Sequence, residues 1–148
     1  RATPLLTGST ILVRVIPVDP RDFFRGDYVI LGYEFSRIPP ECIEGLPEER
    51  SRANASQWLG KEVYVTLVPD MDGQHWRMET MSLQRPSEGA YIRGALTDFG
   101  RLAFGIEAYY VQEGEGKKYE EAIRNRQLSA ELAVTSDGQA ALRGLRIE

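Results

Sequence analysis

Glu62-Val63-Tyr64-Val65-Thr66-Leu67-Val68-Pro69, followed by Asp72-Gly73, is the stretch on which the fold reading turns. Val63, Val65 and Leu67 take one side of an extended chain, while Tyr64, Thr66 and Val68 take the other. A two-residue period of β-branched and aromatic residues is what a half-buried strand requires. Asp72-Gly73 is a tight-turn signature in which glycine supplies a positive φ without steric cost, so Gln74 to Leu83 is predicted to return antiparallel.

Outward from this hairpin the same period recurs. Thr10 to Pro17 alternates Ile11, Val13 and Val15 against Leu12, Arg14 and Ile16, and Pro17 and Pro20 with Asp19 and Asp22 end it. Asp27 to Phe35 suits a second strand, with Val29, Leu31 and Tyr33 on a core face and Tyr28 on the outer one. Tyr91 to Leu96 and Leu102 to Val111 form a further pair around Asp98-Phe99-Gly100. Leu128 to Thr135 and Ala140 to Ile147 close the chain as a hairpin across Asp137-Gly138. Glu115 to Gln127 is the single good helix, carrying Tyr119, Ala122 and Ile123 on one stripe. Arg37 to Gly60, broken by Pro39, Pro40, Gly45 and Pro47, reads as a long surface excursion with at most a short helix near Glu48–Leu59. The predicted class is mainly β, a β-rich α+β chain. Its architecture is an antiparallel barrel or sandwich of about eight strands with one helix near 115–127.

Composition narrows the function classes. The chain has 148 residues, one domain's worth, with 42% hydrophobic and 27% charged residues, an ordinary soluble balance. Eighteen basic against 22 acidic side chains leave a net charge of −4, so no global positive field draws nucleic acid. One cysteine, Cys42, and one histidine, His75, exclude an internal disulfide and metal centres built from cysteine or histidine clusters. No run of 18 apolar residues is present. The chain starts at Arg1, and Ala2 to Gly8 reads as an extended lead-in, so a signal peptide, a membrane anchor or a tag is expected to have preceded it.

One segment stands apart: Gly26-Asp27-Tyr28-Val29-Ile30-Leu31-Gly32-Tyr33, preceded by Asp19-Pro20-Arg21-Asp22-Phe23-Phe24-Arg25. It resembles, at each fixed position, the motif that names the GDYXXLXY family of bacterial proteins. Tyr91 to Gly94, Phe104 to Val111 and Glu113 to Gly116 are similar to that family's later segments. The resemblance implies a small protein of unknown function with one N-terminal transmembrane helix, a domain outside the cytoplasmic membrane, and polytopic membrane proteins encoded nearby as partners. On this reading residues 1–9 are a lead-in after a removed anchor, and residues 10–148 are a single extracytoplasmic domain at the cell membrane.

Asp19, Arg21, Asp22, Arg25 and Asp27 place three carboxylates and two guanidinium groups in nine residues, which suits an ion-pair and turn-capping network or a binding edge on a rigid sheet. Three aspartates suit a hard cation, but Arg21 and Arg25 would repel it, so no metal and no cofactor is assigned. The binding surface assigned from sequence comprises those five residues with Tyr28, Tyr33, Arg93, Glu107 and Glu113.

Enzyme readings are weaker, and no catalytic residue is assigned. Arg25 to Val29 is similar to a segment of signal peptidase and related serine–lysine proteases, yet Ser9 lacks the methionine that follows the nucleophile there, and Lys61 opens a strand as a solvated side chain. His75, just after Asp72-Gly73, reads as an exposed turn histidine. A triad of His75 and Asp72 with Ser9 or Ser82 has no spacing to recommend it. Glu107 and Glu113 bracket Tyr109-Tyr110 as a sugar-cleaving pair would, but Glu107 pairs as readily with Arg93 or Arg101 across strands. Asn54-Ala55-Ser56 fits a glycosylation sequon, idle in a bacterial protein. The expected function is a non-enzymatic interaction or scaffolding module; the alternative is a small hydrolase or ligand-binding sensor using the Asp19–Asp27 loop.

Overall fold

The computed structural model describes residues 10–18, 28–38, 43–98 and 100–148, with the backbone alone at 24–25. Ten strands and one α-helix follow in the order β1 (Thr10–Arg14), β2 (Phe24–Arg25), β3 (Tyr28–Ile30), β4 (Glu62–Pro69), β5 (Trp76–Ser82), β6 (Ala90–Leu96), β7 (Leu102–Ala103), β8 (Ala108–Tyr110), α1 (Gly116–Arg124), β9 (Leu128–Val134) and β10 (Ala140–Ile147). They assemble three antiparallel sheets, ordered β1-β9-β10, β2-β3-β8 and β5-β4-β6-β7. The mainly antiparallel class is as the sequence predicts, and the described strands do not close into a barrel.

The central hairpin forms where its period places it. Val63, Val65 and Leu67 are buried along β4, and β5 pairs with it from Tyr64↔Ser82 to Pro69↔Trp76. Its turn is wider than a two-residue one, because six residues, Asp70 to His75, lie between the last paired positions. The Asp72 carboxylate accepts the N–H groups of Gln74 and His75 at 2.9 and 2.8 Å, so the side chain wraps the loop around itself.

Leu102 to Val111 is not one strand. β7 pairs with β6 in one sheet, whereas β8 pairs with β3 in another. The break has a local cause: Gly105 has φ +84°, and the Glu107 carboxylate accepts N–H groups from Phe104, Gly105 and Ile106 at 2.7, 3.0 and 3.1 Å. Three amides turned toward one carboxylate cannot serve a ladder. The predicted Asp27–Phe35 strand is likewise shortened to Tyr28–Ile30, with a single bridge at Gly32↔Ile16 before a 3-10 turn over Glu34–Ser36.

The helix also stops short of Gln127. Arg126 takes a left-handed φ of 57°, the Arg126 N–H donates to the Ile123 carbonyl, and the Gln127 N–H reaches the Ala122 carbonyl at 2.8 Å. That paired closure is a Schellman cap, formed here without glycine. Ala122 and Ile123 are buried and Tyr119 packs against the core, as their stripe predicts.

The described part of the 37–60 excursion keeps a mostly exposed surface but is anchored in the core by a few buried side chains. Ile43, Leu46 and Trp58 are buried, and a 3-10 segment runs over Arg52–Gln57. Asn54 organises it: its Oδ1 accepts the Ser51 N–H and the Trp58 indole N–H, both at 2.8 Å, while its Nδ2 donates to the Glu49 carbonyl at 2.7 Å. The sequon asparagine is thus committed to holding the loop.

Apolar side chains from all three sheets meet in a single core that includes Val13, Val29, Leu31, Val65, Ile92, Ile106, Ile123 and Leu132. β9 lies between β1 and β10, with Leu128, Ala130, Leu132 and Val134 turned into that core.

Candidate functional site

Of the ten binding residues assigned from sequence, Asp19, Arg21, Asp22 and Asp27 lie outside the described residues, as does the side chain of Arg25. The remaining five separate into different roles. Tyr28 is on the outer face, 47% exposed, with its ring edge-on to Tyr110 on the neighbouring strand at 5.5 Å. Tyr33 is buried. Its hydroxyl donates to the Ile106 carbonyl at 2.6 Å, and its ring stacks on Phe35 at 5.1 Å, which in turn meets Phe104 edge-on. Burial, aided by the nearby Glu107 carboxylate, pushes the Tyr33 phenol well above its ordinary range, so it stays a neutral donor. Arg93 bridges Glu62 at 3.3 Å and Asp137 at 3.5 Å, and Glu107 holds the turn described above. The expected Arg93–Glu107 pair is therefore absent, because each group is engaged elsewhere. Glu113 is exposed before α1.

The motif thus divides by alternation. Leu31 and Tyr33 are core, Tyr28 is surface, and Gly32 is steric: a Cβ there would lie 2.4 Å from Val18 Cγ1. Only glycine lets the Ile16–Val18 segment approach this closely, with the Ile16 N–H donating to the Gly32 carbonyl at 2.9 Å.

That close approach makes one wall of an open groove of about 700 Å³. Its lining combines Ile16, Pro17 and Val18 with Ile30 to Glu34 and with Ser36, Arg37, Arg101, Leu102 and Glu107. Arg37 and Arg101 face each other across an antiparallel bridge, and the Ile38 N–H donates to the Gly100 carbonyl at 2.8 Å beside it. Sequence reasoning missed this groove because Arg37 and Arg101 are 64 residues apart and its lining carries no local period; of the binding residues assigned from sequence, Tyr33 and Glu107 line it.

A second polar constellation corrects the reading of His75, which is buried at 3% exposure instead of lying free on a turn. Its Nδ1 lies 2.5 Å from Asp72 Oδ2, and its Nε2 lies 2.8 Å from Ser129 Oγ. Nδ1 faces the Asp72 carboxylate, while Nε2 faces both the Ser129 hydroxyl and, at 3.5 Å, the Glu148 carboxylate. Asp72, His75 and Ser129 stand in the order of a catalytic triad, and the serine is neither of the two proposed from sequence. Ser129 is 1% exposed on the central strand β9, opposite Arg14 and Arg146, so its hydroxyl is closed to solvent and the flanking amides are committed to ladders.

The same residues tie two sheets together. Arg14 on β1 pairs with both Asp70 and Asp72, the latter at 2.9 Å, and His75 bridges Leu12, so the β4–β5 loop is clamped onto the β1-β9-β10 sheet. The backbone N–H groups of His75 and Gln74, followed by the His75 ring, hold the Asp72 carboxyl below its ordinary range. Of the other residues weighed for catalysis, Lys61 is exposed and Ser82 Oγ accepts the Gln84 N–H at 3.0 Å, while Ser9 lies outside the described residues. Among the described residues, no group of three His, Cys, Asp or Glu is placed to hold a metal ion, and no helix is long and apolar enough to cross a membrane.

Comparison with curated proteins and with solved structures gives no match. The sequence profile of the GDYXXLXY protein family matches residues 1–145, nearly the whole chain, and the residues that line the groove and lock its wall include the last four of that motif. The chain belongs to the GDYXXLXY family.

Proposed function

We propose that this chain is a non-enzymatic interaction domain, held outside the cytoplasmic membrane by an N-terminal anchor, and that the groove beside its motif receives a partner in the same membrane. The observation that carries the reading is the groove itself: the Ile30–Tyr33 segment beside it is fixed by a buried hydroxyl and a glycine contact, yet the groove stays open to solvent. A rigid scaffold presenting an open, partly apolar surface suits recognition. Anchoring and polytopic partners are supported by the family resemblance, and a shared membrane would raise the effective concentration of domain and partner. The burial of Ser129 favours this over the hydrolase. A ligand-binding sensor is the second reading, supported by the groove volume, which falls in the range of small-molecule pockets.

The test is photocrosslinking of the anchored protein in its native membrane, with a benzophenone side chain at Val18 or Ile30 and a control at Met71, which is 98% exposed on the β4–β5 loop. Capture of one defined membrane protein from the groove positions, and not from Met71, supports the reading. Equal capture from all three positions, or none from the groove, overturns it.

A further inference from the structure

Arg37 and Arg101 set two positive charges directly opposite each other across a bridge, an arrangement that is unfavourable when nothing neutralises it. Among the described residues neither guanidinium has an ion-pair partner, whereas Arg14, Arg93 and Arg146 each meet a carboxylate. The two acids that line the same groove are already hydrogen-bonded to backbone amides. Glu34 accepts the Met78 N–H at 2.6 Å, and Glu107 accepts its three backbone amides. Two guanidinium forks with no ion-pair partner among the described residues therefore line the groove together with the apolar Ile16, Val18 and Ile30. In the same lining, Ser36 Oγ accepts the Tyr33 N–H at 2.9 Å, which leaves its hydroxyl proton without an acceptor among the described residues.

The geometry points to an acidic, apolar peptide segment of the partner protein as the occupant: its apolar side chains on Ile16, Pro17, Val18 and Ile30, its Asp or Glu carboxylate between Arg37 and Arg101, and a main-chain carbonyl on the Ser36 hydroxyl. Guanidinium forks hold carboxylates through paired charged hydrogen bonds, and a neutral hydroxyl donor suits an amide carbonyl. An acyl chain offers the carboxylate and the apolar surface but no amide. The chain's net charge of −4 opposes nucleic acid. This inference rests on the groove being the docking surface.

Two arrayed libraries of apolar heptapeptides test it, one with Asp or Glu at the central position and one with Asn or Gln, read by fluorescence anisotropy against the protein and its Arg37→Gln/Arg101→Gln variant. Decanoate serves as an acyl-carboxylate probe. Binders drawn from the acidic library, weakened at least tenfold by the double substitution and by added salt, support the inference. The variant should keep its melting temperature or gain slightly, since a like-charge opposition has gone; Ser36→Ala should weaken the same peptides without removing their salt dependence. Equal binding of neutral peptides, affinity unchanged in the double variant, tighter binding of decanoate than of any peptide, or no binders at all would each overturn it. In every one of those cases crosslinking from Val18 and Ile30 still reports separately on the groove as a partner surface.

Discussion

Replacing Tyr33 with Phe removes one oxygen from the last position of the family motif and leaves its aromatic stack intact. In the native protein that hydroxyl donates to the Ile106 carbonyl at 2.6 Å from a ring that is 1% exposed. Deleting it leaves the carbonyl without that donor in a dry site, and a buried acceptor stripped of its partner costs about 1–3 kcal/mol. For a domain of this size about 3 °C of melting temperature accompanies each kcal/mol, so a fall of roughly 3–9 °C is expected. Urea unfolding followed by tryptophan fluorescence should show a lower midpoint at unchanged slope. Alkaline pH gives an independent readout. The Tyr33 phenol is raised in the fold, so the unfolded chain ionises first. The contribution is complete below the unfolded pKa of about 10 and falls by about 1.4 kcal/mol for each pH unit above it. Tyr33→Phe should therefore lose stability less steeply than the native protein between pH 10 and 11.5. Tyr28→Phe, in the same motif but 47% exposed, is the control and should stay within about 0.5 kcal/mol. If Tyr33→Phe matches the native protein in both midpoint and alkaline slope, the assignment of this tyrosine as the dry strut of the motif is wrong.

Two further stability predictions follow from equally local geometry. A Cβ at Gly94 would lie 2.7 Å from the Phe104 ring and 2.8 Å from the Ala103 carbonyl, so Gly94→Ala should cost about 1–3 kcal/mol by calorimetry. Gly100→Ala, with nothing within 4 Å, should be close to neutral. On the acid side, the Asp72 carboxyl is lowered in the fold, so the unfolded chain takes up its proton first; the stabilisation is present above about pH 4 and lost as pH falls below it. Melting temperatures from pH 6 to 2.5 should fall less steeply for Asp72→Asn than for the native protein, from a lower starting value.

The alternation of apolar residues, read one segment at a time, was enough to place β4, β5, β9 and β10, the helix stripe, and the split of the motif into buried Val29, Leu31 and Tyr33 with outward Tyr28. These are matters of period, and period is a property of adjacent residues. Sequence also carried the family, through the fixed positions of its motif. Tertiary structure alone decided what the polar residues do. Glu107 reads as a cross-strand acid until its carboxylate is found collecting the amides of its own turn, which breaks Leu102 to Val111 into two strands of different sheets. His75 reads as a surface residue until Ser129, 54 positions away, closes over it, and Arg37 meets Arg101 only because the chain folds back across 64 residues. Hydrogen bonds and charge pairs are fixed by separations of a few ångströms between groups that the chain brings together from any distance along itself, whereas a strand's faces are written in every second residue.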